Sequence, residues 1–227
     1  REIFSEENYY FECYKLEAIL FINILYNFKD IVPDGKRYES EKFEKYVEKF
    51  LRLIASHEHD KSNLLRRIKD LELTTKHDIV AVQRFIEEEV LIVMDDVEND
   101  DLFNFGEKRE KLVNNLLVNF VHFGLTSQDI VNTVYTKLIN KANEIIRLEF
   151  CILHAFMYSL SSSKLMLSFT HGQPAVPMEI SHFIKVHSSK ILDIINEIVD
   201  IDYIVKVKFG TGAVGNGFSL SKTTCNN

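Results

Sequence analysis

Nine residues of this 227-residue chain have the composition of a proton-transfer loop: Phe169-Thr170-His171-Gly172-Gln173-Pro174-Ala175-Val176-Pro177. A histidine stands between a hydroxyl residue and a glycine, with an amide and two prolines close behind. Proline fixes φ and removes a backbone donor, so the stretch predicts a rigid loop rather than a helix interior. Such a loop can hold an imidazole at a fixed angle, and imidazole is the side chain matched to acid–base work near neutral pH. A surface turn with an incidental histidine would read the same way, so the weight comes from two further segments.

Thr74-Thr75-Lys76-His77-Asp78 lies just before an apolar-periodic stretch. Asp78 reads as a helix N-cap, which puts His77 at a helix entrance where free N–H groups favour anions. His122-Phe123-Gly124-Leu125-Thr126-Ser127-Gln128-Asp129 opens a longer periodic stretch. Thr126 or Ser127 can cap it and still leave a hydroxyl and N–H groups for a carboxylate or phosphate. Each segment alone is equally an ordinary cap. Together with the His171 loop they share one plan: a polar loop with hydroxyl or imidazole groups that feeds a helix N-terminus. That plan suits a substrate carrying several carboxylates or phosphates, with histidines to move a proton on and off it.

Three other patterns carry less. Gly210, Gly212 and Gly215 match a dinucleotide fingerprint, but no βαβ unit or acidic residue about twenty positions on accompanies them. His57-Glu58-His59-Asp60 has metal-ligand residue types, yet its charged surroundings read as a solvated loop, and no metal site is expected. Cys151 and His154 lie one turn apart on an apolar helix face and read as core.

The chain is 46% hydrophobic and 27% charged with net charge −7, which is the balance of a globular protein with a real core. No lysine or arginine run is long enough for a nucleic-acid patch, and no apolar run reaches the length of a membrane span, so neither partner is expected. The three cysteines, Cys13, Cys151 and Cys225, are far apart and odd in number, which argues for a reducing compartment, taken as cytoplasmic. Three prolines and eight glycines leave the first 170 residues with few breakers, so long helices are expected.

Helices are predicted over residues 5–28, 39–56 and 79–93, with a turn at Val32-Pro33-Asp34-Gly35 and a short helix over 111–123. Asp95 to Asp101 reads as an acidic linker near a domain boundary. Two long helices are predicted over about 128–160 and 178–205. In the second, Ile180, Ile184, His187, Ile191, Ile194, Ile198, Ile201 and Val205 alternate spacings of four and three. That is a heptad seam and predicts packing in a helix bundle. Ile195, Val199 and Ile204 widen the apolar surface toward several neighbours, including other subunits.

These segments together resemble adenylosuccinate lyase, of the fumarase/aspartase superfamily. Thr170-His171-Gly172-Gln173-Pro174-Ala175 carries the resemblance most specifically, with Thr75-Lys76-His77-Asp78, His122 to Ile130, Gly212-Ala213-Val214-Gly215-Asn216 and the opening Arg1 to Glu6 in the family's order. The resemblance implies an all-α fold: a small N-terminal helical domain, here residues 1–108, then a long-helix bundle domain, here residues 109–227. It also implies a homotetramer with pooled bundles and sites shared by three subunits. The implied reaction is β-elimination of fumarate from adenylosuccinate to give AMP, without a cofactor, and in many members also from the succinyl-carboxamide ribotide of purine synthesis. The resemblance makes His171 the general acid for the leaving nitrogen, and Thr170 its neighbour in positioning substrate. Lys76, His77, Asp78, Thr126 and Ser127 match substrate-binding positions.

The chain departs from that pattern. It lacks the family's glycine- and serine-rich loop with the general-base serine, the C-terminal domain, and the phosphate-contacting segment before the first helix. After Asn216 it reads Gly217-Phe218-Ser219-Leu220, where the family has Tyr-Asn-Ala-His. The expectation is a fragment that does not catalyse elimination alone. Argininosuccinate lyase, fumarase and aspartase carry Thr-His-Leu-Gln at this loop, so Gly172 and Pro174 favour adenylosuccinate lyase. A non-catalytic helical scaffold is the alternative that the seam supports and the histidine loops oppose.

Overall fold

The computed structural model describes residues 2–28, 40–98 and 118–199, and these are overwhelmingly helical. They fall into two compact units, one reaching Tyr135 and the other starting at Thr136. The all-α expectation holds.

In the first unit a short 3₁₀ turn, Glu2–Phe4, leads into α1, Glu6–Phe28. Ser5 is the N-cap: its Oγ accepts the Asn8 N–H at 3.2 Å and its carbonyl accepts the Tyr9 N–H at 3.0 Å. Glu6 and Glu7 sit at the positive end of the helix dipole. α1 buries Tyr10, Phe11, Cys13, Tyr14, Ala18, Phe21, Ile22 and Leu25, an arc too wide for a surface helix. It is accordingly flanked by α2, Ser40–His59, α3, Lys61–Thr75, and α4, Asp78–Glu98.

α2 contributes Tyr46, Val47, Phe50 and Ile54 at helical spacing. Phe50 meets Phe21 of α1 edge-on at 5.8 Å between ring centres. α4 contributes Ile79, Val82, Phe85, Ile86, Val90 and Val93, a regular i, i+3, i+4, i+7 stripe. Each such burial is worth about 1.5–3 kcal/mol of transfer free energy, offset by chain entropy.

α3 has no counterpart in the sequence reading. Only Leu64 and Ile68 of its fifteen residues are fully buried, and the rest is charged or polar. Its ends are well made: Asp60 Oδ1 accepts the Asn63 N–H at 3.2 Å, and Lys76 takes the left-handed conformation (φ 55°) that stops it. This corrects the reading of His57 to Asp60 as a solvated loop, because those residues are the last turn of α2 and the cap of α3. Similarly, Asp95 to Glu98 are helical, as the end of α4.

The short helix predicted over 111–123 lies mostly outside the described residues; at its described end Val118 is helical and residues 119–124 are turns. The turn at 32–35 also lies outside them. α5, Ser127–Ser159, matches the first predicted long helix. Its opening turns bury Ile130, Val134 and Leu138.

In the second unit, the later turns of α5 leave Ile145, Leu148, Ile152 and Phe156 exposed, and Cys151 is exposed rather than core. A hairpin follows. β1, Leu165–Met166, pairs antiparallel with β4, Met178–Glu179, and inside it β2, Phe169–Thr170, pairs with β3, Gln173–Pro174. α6, Ile180–Val199, then begins two residues later than predicted, because Met178 and Glu179 are in the ladder. Ile184, Ser188 and Ile195 are buried, whereas His187 and Ile194 of the predicted seam are exposed within the chain. Ile201 and Val205 lie outside the described residues.

Candidate active site

The junction of α3 and α4 carries the first group of expected residues. The His77 carbonyl accepts the Ala81 N–H at 3.0 Å, so His77, one residue before the expected Asp78, is the backbone N-cap of α4. Asp78 is the first helical residue, and its Oδ1 accepts the Ile79 N–H at 2.8 Å. His77 Nδ1 lies 3.1 Å from that same Oδ1. Thr75 Oγ1 donates to the His77 carbonyl at 3.1 Å. Lys76, His77 and Asp78 thus stand together at a helix N-terminus, the two basic side chains exposed and the carboxylate half-buried. That is one cation, one imidazole and one anion beside the positive end of a helix dipole.

The turn before α5 carries the second group. The Thr126 carbonyl accepts the Asp129 N–H at 2.8 Å, and the buried Asp129 Oδ2 accepts the Thr126 N–H at 3.0 Å. The cap is therefore closed by the aspartate and the backbone. Thr126 is thus the N-cap through its carbonyl, one of the two residues expected there, and neither the Thr126 nor the Ser127 hydroxyl takes part, but the Thr126 N–H is taken by Asp129. The chain reaches this cap through two left-handed residues, His122 (φ 60°) and Gly124 (φ 72°).

Two residues of α1 tie these groups down, and neither was singled out from the sequence. Tyr9 Oη donates to Asp78 Oδ2 at 3.3 Å, and its ring lies 5.3 Å from that of Tyr135 on α5. Burial above all, with Cys13 and Asp78 adding to it, raises the Tyr9 hydroxyl well above the ordinary phenol range, so it remains a donor. Glu17, fully buried, takes His122 Nδ1 on its Oε1. A signal for Glu17 did exist: it is an acid set in an apolar face formed by Cys13, Tyr14, Ala18 and Phe21.

Thr170 and His171 belong to the second unit. With Thr170 opposite Gln173, the turn consists of His171 and Gly172 alone, at φ 51° and 76°. Two positive φ values in a two-residue loop fit the twist of an antiparallel hairpin and are costly for a residue other than Gly, Asn or Asp. An added Cβ at Gly172 would meet nothing within 4 Å, so the glycine serves its φ rather than a close approach. His171 is therefore exposed at a hairpin tip. It is not at a helix N-terminus, as expected, because β3 and β4 separate it from α6.

The His57 cluster is also ordered. His57 Nε2 lies 2.5 Å from Glu89 Oε1, and Tyr14 Oη donates to Glu89 Oε2 at 2.6 Å. These side chains and Phe85 tie α1, α2 and α4 together. The glycines over 209–217 lie outside the described residues.

The fold and these sites define an all-α protein with polar, histidine-bearing segments at helix starts and a hairpin tip. A family model described as Lyase matches residues 42–225, and the chain belongs to that family, within the fumarase/aspartase superfamily of lyases. Among curated relatives, it is 33% identical to an adenylosuccinate lyase of Dictyostelium discoideum over 156 residues, 66% of this chain and 29% of the relative. It is 27% identical to an adenylosuccinate lyase of Vibrio cholerae over 220 residues, 95% of this chain and 42% of the relative. The chain thus spans less than half the length of either. Of solved structures, a fumarate lyase from Mesorhizobium sp. BNC1 shares the fold at TM-score 0.64 and 16% identity, over 98% of this chain and 47% of that one. A β-carboxy-cis,cis-muconate cycloisomerase from Acinetobacter calcoaceticus does so at 0.60 and 16%, over 99% and 45%.

Proposed function

We propose that this chain is part of an adenylosuccinate lyase, which eliminates fumarate from adenylosuccinate to give AMP in purine nucleotide biosynthesis. The succinyl-carboxamide ribotide is the expected second substrate, because it presents the same succinyl-amine to the site. The observation that carries the reading is the hairpin tip. A histidine held at positive φ and exposed to solvent contributes nothing to packing, and it stands in the Thr170-His171-Gly172-Gln173-Pro174 sequence. The names of the curated relatives support the substrate, and argininosuccinate is the rival within the superfamily.

In this reading a base removes the proton from the carbon next to the C–N bond, that bond breaks, and the electron pair leaves on nitrogen. His171 protonates the leaving nitrogen, and Thr170 positions substrate beside it. Lys76, His77, Thr126 and Ser127 hold the anionic groups, with Asp78 orienting His77. The assembly is a homotetramer, which the exposed Ile145, Ile152 and Phe156 of α5 and Phe183 and Ile194 of α6 support. Residues 1–108 are the N-terminal domain, residues 109–227 the beginning of the bundle domain, and the setting is cytoplasmic. Among the described residues no helix is long and apolar enough to cross a membrane.

The test is His171→Gln in the chain expressed with all the flanking sequence its gene encodes. Loss of a general acid lowers kcat by about 10²–10⁴ with helix content unchanged. Retention of kcat within a few-fold removes His171 from the chemistry.

A further inference from the structure

We propose that Glu17 is a positioning residue: from the core of α1, its carboxylate fixes the His122 imidazole and, with it, the left-handed turn that presents the Thr126 and Ser127 hydroxyls. The inference rests on the reading of those hydroxyls as substrate-binding groups.

Glu17 is fully buried, on a face otherwise made of Cys13, Tyr14, Ala18 and Phe21. An acid there is a poor choice for packing, since a leucine would fill the same space without the cost of burying a carboxylate. Burial is the first influence on it and raises its pKa; contact with His122 draws it back down. What the carboxylate holds is specific. Its Oε1 meets His122 Nδ1, more than a hundred residues away in sequence. His122 has a positive φ of 60°, disfavoured for a residue with a Cβ, and its carbonyl accepts the Leu125 N–H at 3.2 Å, closing the turn around Gly124. The next residue is Thr126, whose own N–H is taken by buried Asp129. Contacts therefore run from Glu17 through His122 to the Leu125 turn, and Thr126 and Ser127 are the next two residues of the chain.

Holding Nδ1 also fixes the tautomer and leaves Nε2 as the edge of the ring that remains for another partner. What sets this pair apart from His57 and Glu89, which join helix to helix, is that His122 lies in the left-handed turn leading into Thr126 and Ser127.

Two variants separate this role from a structural one. Glu17→Gln keeps the shape and removes the charge, and Glu17→Leu removes the acceptor while keeping an apolar core. The first readout needs no activity: the Nδ1 proton resonance of His122 in the 227-residue chain. It is expected downfield and slow to exchange in the wild type, moved upfield in Glu17→Gln and lost in Glu17→Leu. An unchanged resonance in both variants overturns the proposal, whatever the enzyme does. The second readout is kinetic, in the chain with its flanking sequence. Glu17→Leu strands the His122 N–H and should melt below the wild type while still folding. At a temperature where it is fully folded it should lose about 10- to 100-fold in kcat/KM, as expected when a binding group is displaced by an ångström. Glu17→Asp, which keeps the charge at shorter reach, should recover part of the loss. Wild-type kcat/KM in all three overturns the role in positioning. If the wild type itself shows no lyase activity, the reading of the function fails and the resonance still decides whether Glu17 fixes His122.

Discussion

Tyr14→Phe probes a buried polar cluster of the first unit. Tyr14 is fully buried, Glu89 is 5% exposed, and the phenol donates to the carboxylate at 2.6 Å while His57 holds the other oxygen. Burial, then the charge of Glu89, keeps the Tyr14 hydroxyl protonated far above the ordinary range, so it is a donor at every accessible pH. A hydrogen bond to a charged acceptor contributes about 1.5–3 kcal/mol, and the variant removes one without creating a cavity larger than an oxygen atom. At about 2–4 °C per kcal/mol for a chain of this size, the melting temperature should fall by about 3–12 °C. Glu89→Leu should cost at least as much, since it strands the Tyr14 hydroxyl and the His57 imidazole, and an unsatisfied buried donor costs about 1–3 kcal/mol. Because both variants break the same contact, their effects should not add: urea denaturation of the two single variants and the double should give a coupling of about 1 kcal/mol or more. A Tyr14→Phe loss under about 0.5 kcal/mol, or additive effects, would show that the cluster does not stabilise the unit as its geometry requires.

The buried acid Glu17 gives a pH signature of the opposite sign to an ordinary surface glutamate. Its folded pKa is raised, so its contribution is complete below the unfolded value of about 4.3 and is lost as pH rises through the folded one. His122, Gln83 and Glu87 face it, the first two lowering and the third raising it, and none reverses the effect of burial. Between pH 4.5 and 7, Glu17→Gln should therefore gain stability relative to wild type in urea titrations; a flat or opposite difference contradicts the assignment. The thiols should also diverge. Burial pushes Cys13 up to about 12, whereas Cys151 is exposed. Iodoacetamide at pH 8 should label Cys151 in the native chain and Cys13 more than a thousandfold more slowly than an exposed reference thiol, with both labelled in denaturant, as read by peptide mass spectrometry.

The sequence disclosed whatever depended on periodicity and local caps. The buried sets of α2 and α4 recur at i, i+3, i+4 and i+7, so both helices were legible, and Ser5 capped α1 as its hydroxyl suggested. α3 was not legible, because only Leu64 and Ile68 mark its inner face and its fifteen residues otherwise read as a charged loop. The same omission made His57 to Asp60 look solvated, when a partner on α4 thirty-two residues away holds His57. Partners of this kind have no local trace. The hairpin was hidden by two prolines that argued against strand, although Pro174 and Pro177 are compatible with a two-stranded ribbon whose outer edges need no N–H. Of the candidate site, the loops were legible as types and the supports were not. Tyr9 and Glu17 lie on α1, far from every segment they hold, and only the acid's place in an apolar face hinted at a role.

The most direct test of the account is fumarate release from adenylosuccinate, with fumarate itself quantified, by this chain expressed with its flanking sequence and with argininosuccinate as control. The account predicts release from adenylosuccinate alone, abolished by His171→Gln. Release from argininosuccinate instead, or from neither, would contradict it, and the second outcome would leave the histidine segments as helix caps and a hairpin turn in a scaffold.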